Sequence, residues 1–116
     1  MQPTPRSQDE AFSAIPVANT AIRVKTTDQG YVLISYPINL NRWLARLLPR
    51  GTSLPLRSLE LDSIGSYVWQ HIDGRNSVQK LAERVAERYA LQLPEARQAV
   101  ASFIRQLGRR GILVLQ

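Results

Sequence analysis

The sequence of 116 residues contains no cysteine. That absence excludes disulfides, thiolate nucleophiles, zinc-thiolate centres and iron–sulfur clusters held by this chain. Histidine occurs once, at position 71, which leaves no second imidazole for a zinc or iron site of ordinary composition. The six glycines are scattered and build no phosphate loop. No apolar run approaches the length of a bilayer span, and residues 1–16 lack the apolar stretch of a secretory signal, so the expected compartment is the cytoplasm. Acidic residues are also scarce: 9 Asp plus Glu stand against 15 Lys plus Arg, a net charge of +6, and none falls between Asp28 and Glu60. Such a balance favours an anionic partner, whether nucleic acid, a lipid surface or an acidic peptide.

With 44% hydrophobic and 21% charged residues, the chain has the composition of one soluble domain with one core. Residues 1–20 hold three prolines among small and polar residues and show no period. They read as a flexible arm. Residues 21–116 read as the folded domain. Ile22, Val24 and Thr26 alternate with Arg23 and Lys25, Asp28-Gln29-Gly30 supplies turn chemistry, and residues 31–36 form a second β-rich run. Together these predict an antiparallel hairpin. Residues 56–61 alternate again as a third strand, with Leu59 and Leu61 on one face.

Three helices follow. Asp62 is placed to cap the first, whose buried side is Ile64, Val68 and Ile72, and Asp73-Gly74 closes it. Ser77 caps the second, where Val78, Leu81, Ala82, Val85, Ala86 and Tyr89 keep a clean helical period. Pro94 and Glu95 suit the start of the third. Its buried side is Ala96, Ala99, Val100, Phe103 and Leu107, Gly111 ends it, and residues 112–115 form an apolar tail able to return to the core. The predicted fold class is α+β, a three-stranded antiparallel sheet followed by a three-helix bundle.

Residues 39–55 form an inserted basic amphipathic segment. Leu40, Trp43, Leu44, Leu47 and Leu48 draw one helical stripe, and Arg42, Arg46 and Arg50 repeat on the other side. The stripe is open to three readings: cover for the sheet, a docking element for a protein partner centred on Arg42, Trp43, Arg46 and Leu47, or a membrane-surface contact.

A catalytic reading needs a nucleophile with its base, two juxtaposed carboxylates or a ligand cluster, and none stands out. His71 lies near a helix end, where an imidazole satisfying a carbonyl competes with a catalytic role. Capping and turn roles account for Asp62 and Asp73. Lys80, Arg84 and Arg88 have Glu83 and Glu87 beside them for ordinary helical ion pairs. The third helix carries Arg97 and Arg105 two turns apart, next to Ala101 and Ile104, a face that is partly apolar and partly cationic. The chain is therefore expected to be a binding protein without cofactor or metal.

The stretch LELDSIGSYVWQHIDG, from Leu59 to Gly74, is similar to the strand, cap and first helix of PqqD-type proteins, which end in an aspartate-glycine turn. Ser77 and Val78 with Leu81 and Ala82 resemble the start of that family's second helix. Residues 103–107, followed by Gly111, Ile112 and Leu113, resemble its closing helix and glycine-leucine ending. Two departures are visible: the 39–55 insertion, and Leu61-Asp62 where the family usually has leucine-asparagine. The resemblance implies a winged helix-turn-helix-like fold of the type called a RiPP recognition element, the domain that binds leaders of ribosomally synthesised and post-translationally modified peptides. In such domains the leader adds as a strand and lies against the last long helix, and the adaptor presents it to a modifying enzyme, often a radical SAM protein.

The residues support peptide capture apart from the name. A three-stranded sheet leaves unpaired edge groups that an extended peptide can satisfy. The expected edge is Leu56, Arg57, Ser58, Leu59 and Glu60; the expected helical wall is Arg97, Val100, Ala101, Ile104 and Arg105, whose arginines favour an acidic leader. Two other functions compete: a winged-helix DNA-binding regulator, which the charge also suits, and a structural subunit of an enzyme complex docked through the Trp43 segment. Against DNA stands the acidic first turn of the third helix, Pro94-Glu95-Ala96-Arg97-Gln98, where a reader of bases brings cationic or amide side chains.

Overall fold

The computed structural model describes residues 11–38, 46–49, 51 and 56–116. In chain order the elements are β1 (Pro16–Ala18), β2 (Arg23–Thr26), β3 (Val32–Pro37), β4 (Leu56–Glu60), α1 (Ser63–Gln70), α2 (Val78–Tyr89), α3 (Leu93–Arg109) and β5 (Leu113–Leu115). Strands β2, β3 and β4 form the predicted antiparallel sheet with β3 in the middle, and β1 pairs with β5 in a separate two-stranded ribbon.

The sheet follows from alternation. Val32, Ile34 and Tyr36 of β3 are buried, and their cross-strand partners in β4 include Leu59 and Arg57, so these residues share the helix-facing side. Ser35, Ser58 and Glu60 take the other face. Gly30 sits at φ +86° in the β2–β3 turn, a conformation that its lack of Cβ permits. Sheet and helices are locked together by Ser66, a buried hydroxyl that accepts from the Val32 amide at 2.9 Å and donates to the Leu61 carbonyl at 3.3 Å.

The helices begin as the sequence predicts. Asp62 accepts from the Gly65 amide at 2.7 Å, and Ser77 from the Lys80 amide at 3.1 Å. The third helix starts one residue ahead of Pro94 and adds a reciprocal cap between Gln92 and Glu95. Val68, Val78, Leu81, Ala82, Val85, Ala96, Val100 and Leu107 fill the core with the β3 side chains.

Two expectations need correction. The buried stripe of α3 is Ala96, Val100, Ile104 and Leu107; Ile104, placed by the sequence on a binding face, is 3% exposed, whereas Ala99 is exposed and Phe103 half-buried. Both stripes satisfy a helical period, and the choice is made by what packs on the helix: α2 and the tail on one side, and α1 only at a close approach to Phe103. Second, residues 16–18 fall within the segment to which the sequence assigns no structure, yet they form β1. Pro16 is fully buried, and Ile15 exchanges both backbone hydrogen bonds with Gln116, at 3.0 and 2.9 Å. A partner about a hundred residues away leaves no local period to read. The apolar tail does return to the core, with Ile112 and Leu113 buried.

Candidate functional site

Position in the ladder decides which β4 groups are available. The Leu61 amide donates to the Val32 carbonyl at 2.8 Å; from that pair, hydrogen-bonded pairs alternate along the register at Ile34 with Leu59 and Tyr36 with Arg57. Leu59 and Arg57 therefore spend their backbone groups on β3. Those of Leu56, Ser58 and Glu60 point away from the sheet, and among the described residues no backbone group meets them. The tail does not cap this edge, because β5 pairs with β1.

Beside the end of β4 lies a hollow of 270 Å³ between α1 and α3, lined by Asp62, Ile64, Gly65, Val68, Ala99, Val100, Ser102, Phe103 and Gln106. Its wall includes Asp62, two residues beyond the strand. Gly65 makes the close helix approach possible: a Cβ there would stand 3.1 Å from both the Phe103 ring and Asp62 Oδ1. Apolar floor and polar rim together suit a side chain held on an extended backbone.

A larger hollow of 570 Å³ lies along another side of α3. Ala11, Phe12, Val78, Pro94, Arg97, Gln98, Ala101, Ile104, Arg105 and Leu115 line it. The sequence places strand 56–60 and the wall residues Arg97, Val100, Ala101, Ile104 and Arg105 on one groove; the structure divides them. Val100 lines the α1–α3 hollow beside β4, and the other four line the hollow closed by Phe12 and β5. Arg97 donates from Nε to Gln79 at 2.8 Å and lies 5.3 Å from the centre of the Phe12 ring. Arg105 has no hydrogen-bonding partner among the described residues.

Of the expected docking residues, Arg46 and Leu47 are exposed, Leu47 at 66%, and Arg42 and Trp43 lie outside the described residues. Sequence reasoning missed Phe103 and Gln106 as surface-lining groups, because Phe103 fits the buried stripe equally well.

The remaining polar groups have structural work. His71 Nδ1 lies 2.8 Å from the Tyr67 carbonyl, the helix-end role. Asp73 accepts from the Arg75 and Asn76 amides at 2.9 and 3.0 Å, and these two bonds hold its carboxyl below the usual carboxylate range. Glu83 is taken by Gln79 at 2.9 Å, and Arg88 lies over the Tyr67 and Tyr89 rings, at 5.8 and 5.9 Å, in place of the ion pairs read from the sequence. Among the described residues no cluster of three His, Cys, Asp or Glu could hold a metal, and no helix is long and apolar enough to cross a membrane.

A family profile described as Coenzyme PQQ synthesis protein D (PqqD) matches residues 53–113, just over half of the chain and all of β4 to α3. The chain belongs to the PqqD family. Two solved structures share the fold. The PqqD truncation of Methylobacterium extorquens PqqCD, a stand-alone RiPP recognition element determined by NMR, aligns with a TM-score of 0.59 at 17% identity over 86% of this chain and 88% of that one. TbiB1, solved in complex with the TbiA(beta) leader peptide, aligns with a TM-score of 0.59 at 18% identity over 84% of this chain and 93% of its own. Comparison with curated protein sequences gives no match. In this PqqD-family chain the matched region carries both the β4 edge and the α1–α3 hollow, and the β1 strand lies outside it.

Proposed function

We propose that this PqqD-family chain is a non-catalytic adaptor that captures the leader of a precursor peptide as an added strand on β4 and presents it to a modifying enzyme, of radical SAM type. The observation that carries the reading is the β4 edge: among the described residues no backbone group meets the outward groups of Leu56, Ser58 and Glu60, and a hollow that can receive side chains opens at Asp62, two residues beyond the strand. Backbone pairing supplies affinity and the hollow supplies selection. The wall is built by Asp62, Ala99, Val100, Ser102, Phe103 and Gln106, and the net charge of +6 favours a leader rich in Asp and Glu. The complex of TbiB1, which shares this fold, with a leader peptide supports a leader as the ligand.

The test is calorimetric titration with the leader of a precursor peptide encoded beside this chain, repeated with Phe103→Ala and Gln106→Ala. Saturable binding that weakens in both variants is the expected result. Binding that survives in both, with fold unchanged, rejects the hollow as the side-chain site.

A further inference from the structure

The 570 Å³ hollow between α3 and β5 is not used by strand addition at β4. Its floor is apolar: Phe12, Val78, Ala101 and Ile104. Its rim carries Arg97 and Arg105, and among the described residues no carboxylate side chain lines it. The nearest acids on α2 and α3 are engaged, Glu83 with Gln79 and Glu95 with the Gln92 amide at 3.3 Å. Among the described residues, therefore, no carboxylate side chain offsets the charge of the hollow.

A second observation is independent of that charge. Ile15 and Gln116 exchange both backbone bonds, and the Asn19 amide donates to the Ile112 carbonyl at 2.8 Å. Alternation along the β1–β5 register then makes Val17 with Val114 the next bonded pair and turns the backbone groups of Leu115 away from β1. Leu115 is 50% exposed and lines the hollow. A donor and an acceptor without a partner among the described residues thus lie on a residue that lines an apolar, cationic cleft.

We propose that this hollow is a second docking site, which takes an extended segment of the modifying enzyme carrying an apolar side chain between carboxylates. The apolar side chain fills the space over Phe12 and Ile104, one carboxylate meets Arg105, the other meets the terminal guanidinium nitrogens of Arg97 while its Nε stays on Gln79, and the segment backbone pairs with Leu115. Only the identity of the partner rests on the adaptor reading. With β4 occupied by the leader, α3 serves both chains, one from each side.

The test uses the whole chain labelled with nitrogen-15 and a blocked Glu-Leu-Glu-Leu-Glu peptide as probe, against Lys-Leu-Lys-Leu-Lys, at low salt. The expected result is saturable displacement of the Ala101, Arg105 and Leu115 amide signals by the acidic peptide alone. Arg105→Glu should weaken it about tenfold, the factor equivalent to one charge-assisted hydrogen bond. Leu115→Pro, which removes an outward donor and no β1 bond, should weaken it as well. Equal shifts with the lysine peptide, no shift at Leu115, or unchanged affinity in Arg105→Glu overturns the proposal. Shifts confined to residues 56–60 also overturn it, while leaving strand addition at β4 standing; failure of leader binding in the calorimetric titration does the reverse.

Discussion

Proline substituted along β4 separates binding from folding, because successive residues point their amides in opposite directions. The Ser58 amide faces away from β3, whereas the Leu59 amide belongs to the Ile34–Leu59 hydrogen-bonded pair. Ser58→Pro removes a donor that a bound peptide needs and leaves the peptide carbonyl opposite it without a partner, at about 1–3 kcal/mol. That corresponds to an affinity loss of about 5- to 150-fold. The pyrrolidine ring also occupies space in which a strand must approach to about 4.8 Å, which pushes the loss toward the upper figure. Within the fold, the change costs only the contact between the Ser58 and Ser35 hydroxyls, already long at 3.5 Å, since edge prolines with outward nitrogens are tolerated. The thermal midpoint should then fall by less than about 4 °C, the shift that corresponds to under 1 kcal/mol. Leu59→Pro should instead unfold the sheet. Leader titration by calorimetry and melting by circular dichroism read the two effects separately. Full leader affinity in a folded Ser58→Pro protein would refute strand addition at β4.

The remaining tests concern the supports of this site. Ser66→Ala orphans the buried Val32 amide, so it should cost about 1–3 kcal/mol and lower the melting temperature by about 4 °C or more; a midpoint equal to that of the parent would show that water replaces the hydroxyl. Ala90 caps α2 at φ +54°, and Ala90→Gly should relieve strain and stabilise by about 1 kcal/mol in denaturant unfolding. Asp73 has its pKa lowered by the Arg75 and Asn76 amides, so its contribution is present above the unfolded carboxylate pKa and disappears as pH falls through the lower folded value. Asp73→Ala should therefore be less stable than the parent at neutral pH, and the difference should shrink in strong acid, as measured by urea unfolding at both pH values.

How much of this is legible in the sequence depends on whether the signal is local. Asp62 and Ser77 announce two helix starts, since a capping side chain bonds an amide three residues away and the spacing is visible in the chain. The β2–β3 hairpin is equally local. The edge position of β4 is legible from strand order, although not which of its amides face outward, because that depends on where the Leu61–Val32 bond sets the phase. Ala90 escapes notice because a left-handed helix end is read from glycine, and the chain has alanine there. The division of α3 between two hollows is invisible for a different reason. Ala96, Val100 and Leu107 satisfy a helical period with either Ala99 and Phe103 or Ile104 as companions, and only the close approach at Gly65 turns Phe103 toward α1. The β1–β5 ribbon joins the two ends of the chain, and nothing in the sequence of either strand names its partner.

Charge is the property most easily overread from the sequence. A surplus of +6 on a helix-turn-helix-like frame suits a duplex reader as well as an acidic peptide, but the structure spends several of its arginines internally. Arg97, the cation in the first turns of α3, is tied to Gln79 and packed on Phe12. Arg110 donates to the Tyr36 hydroxyl at 2.7 Å, and Arg88 lies over two tyrosine rings. A duplex reader needs such groups free, at the start of the recognition helix, to reach phosphates and base edges; here that start carries Glu95, itself bonded back to Gln92. What α3 offers along its length is Ala99, Ser102, Phe103 and Gln106 on one side and Ala101 with Arg105 on another. Under the proposed reading those are walls for side chains of a second polypeptide, and β4 and β5 each offer outward backbone groups that no other backbone group meets among the described residues.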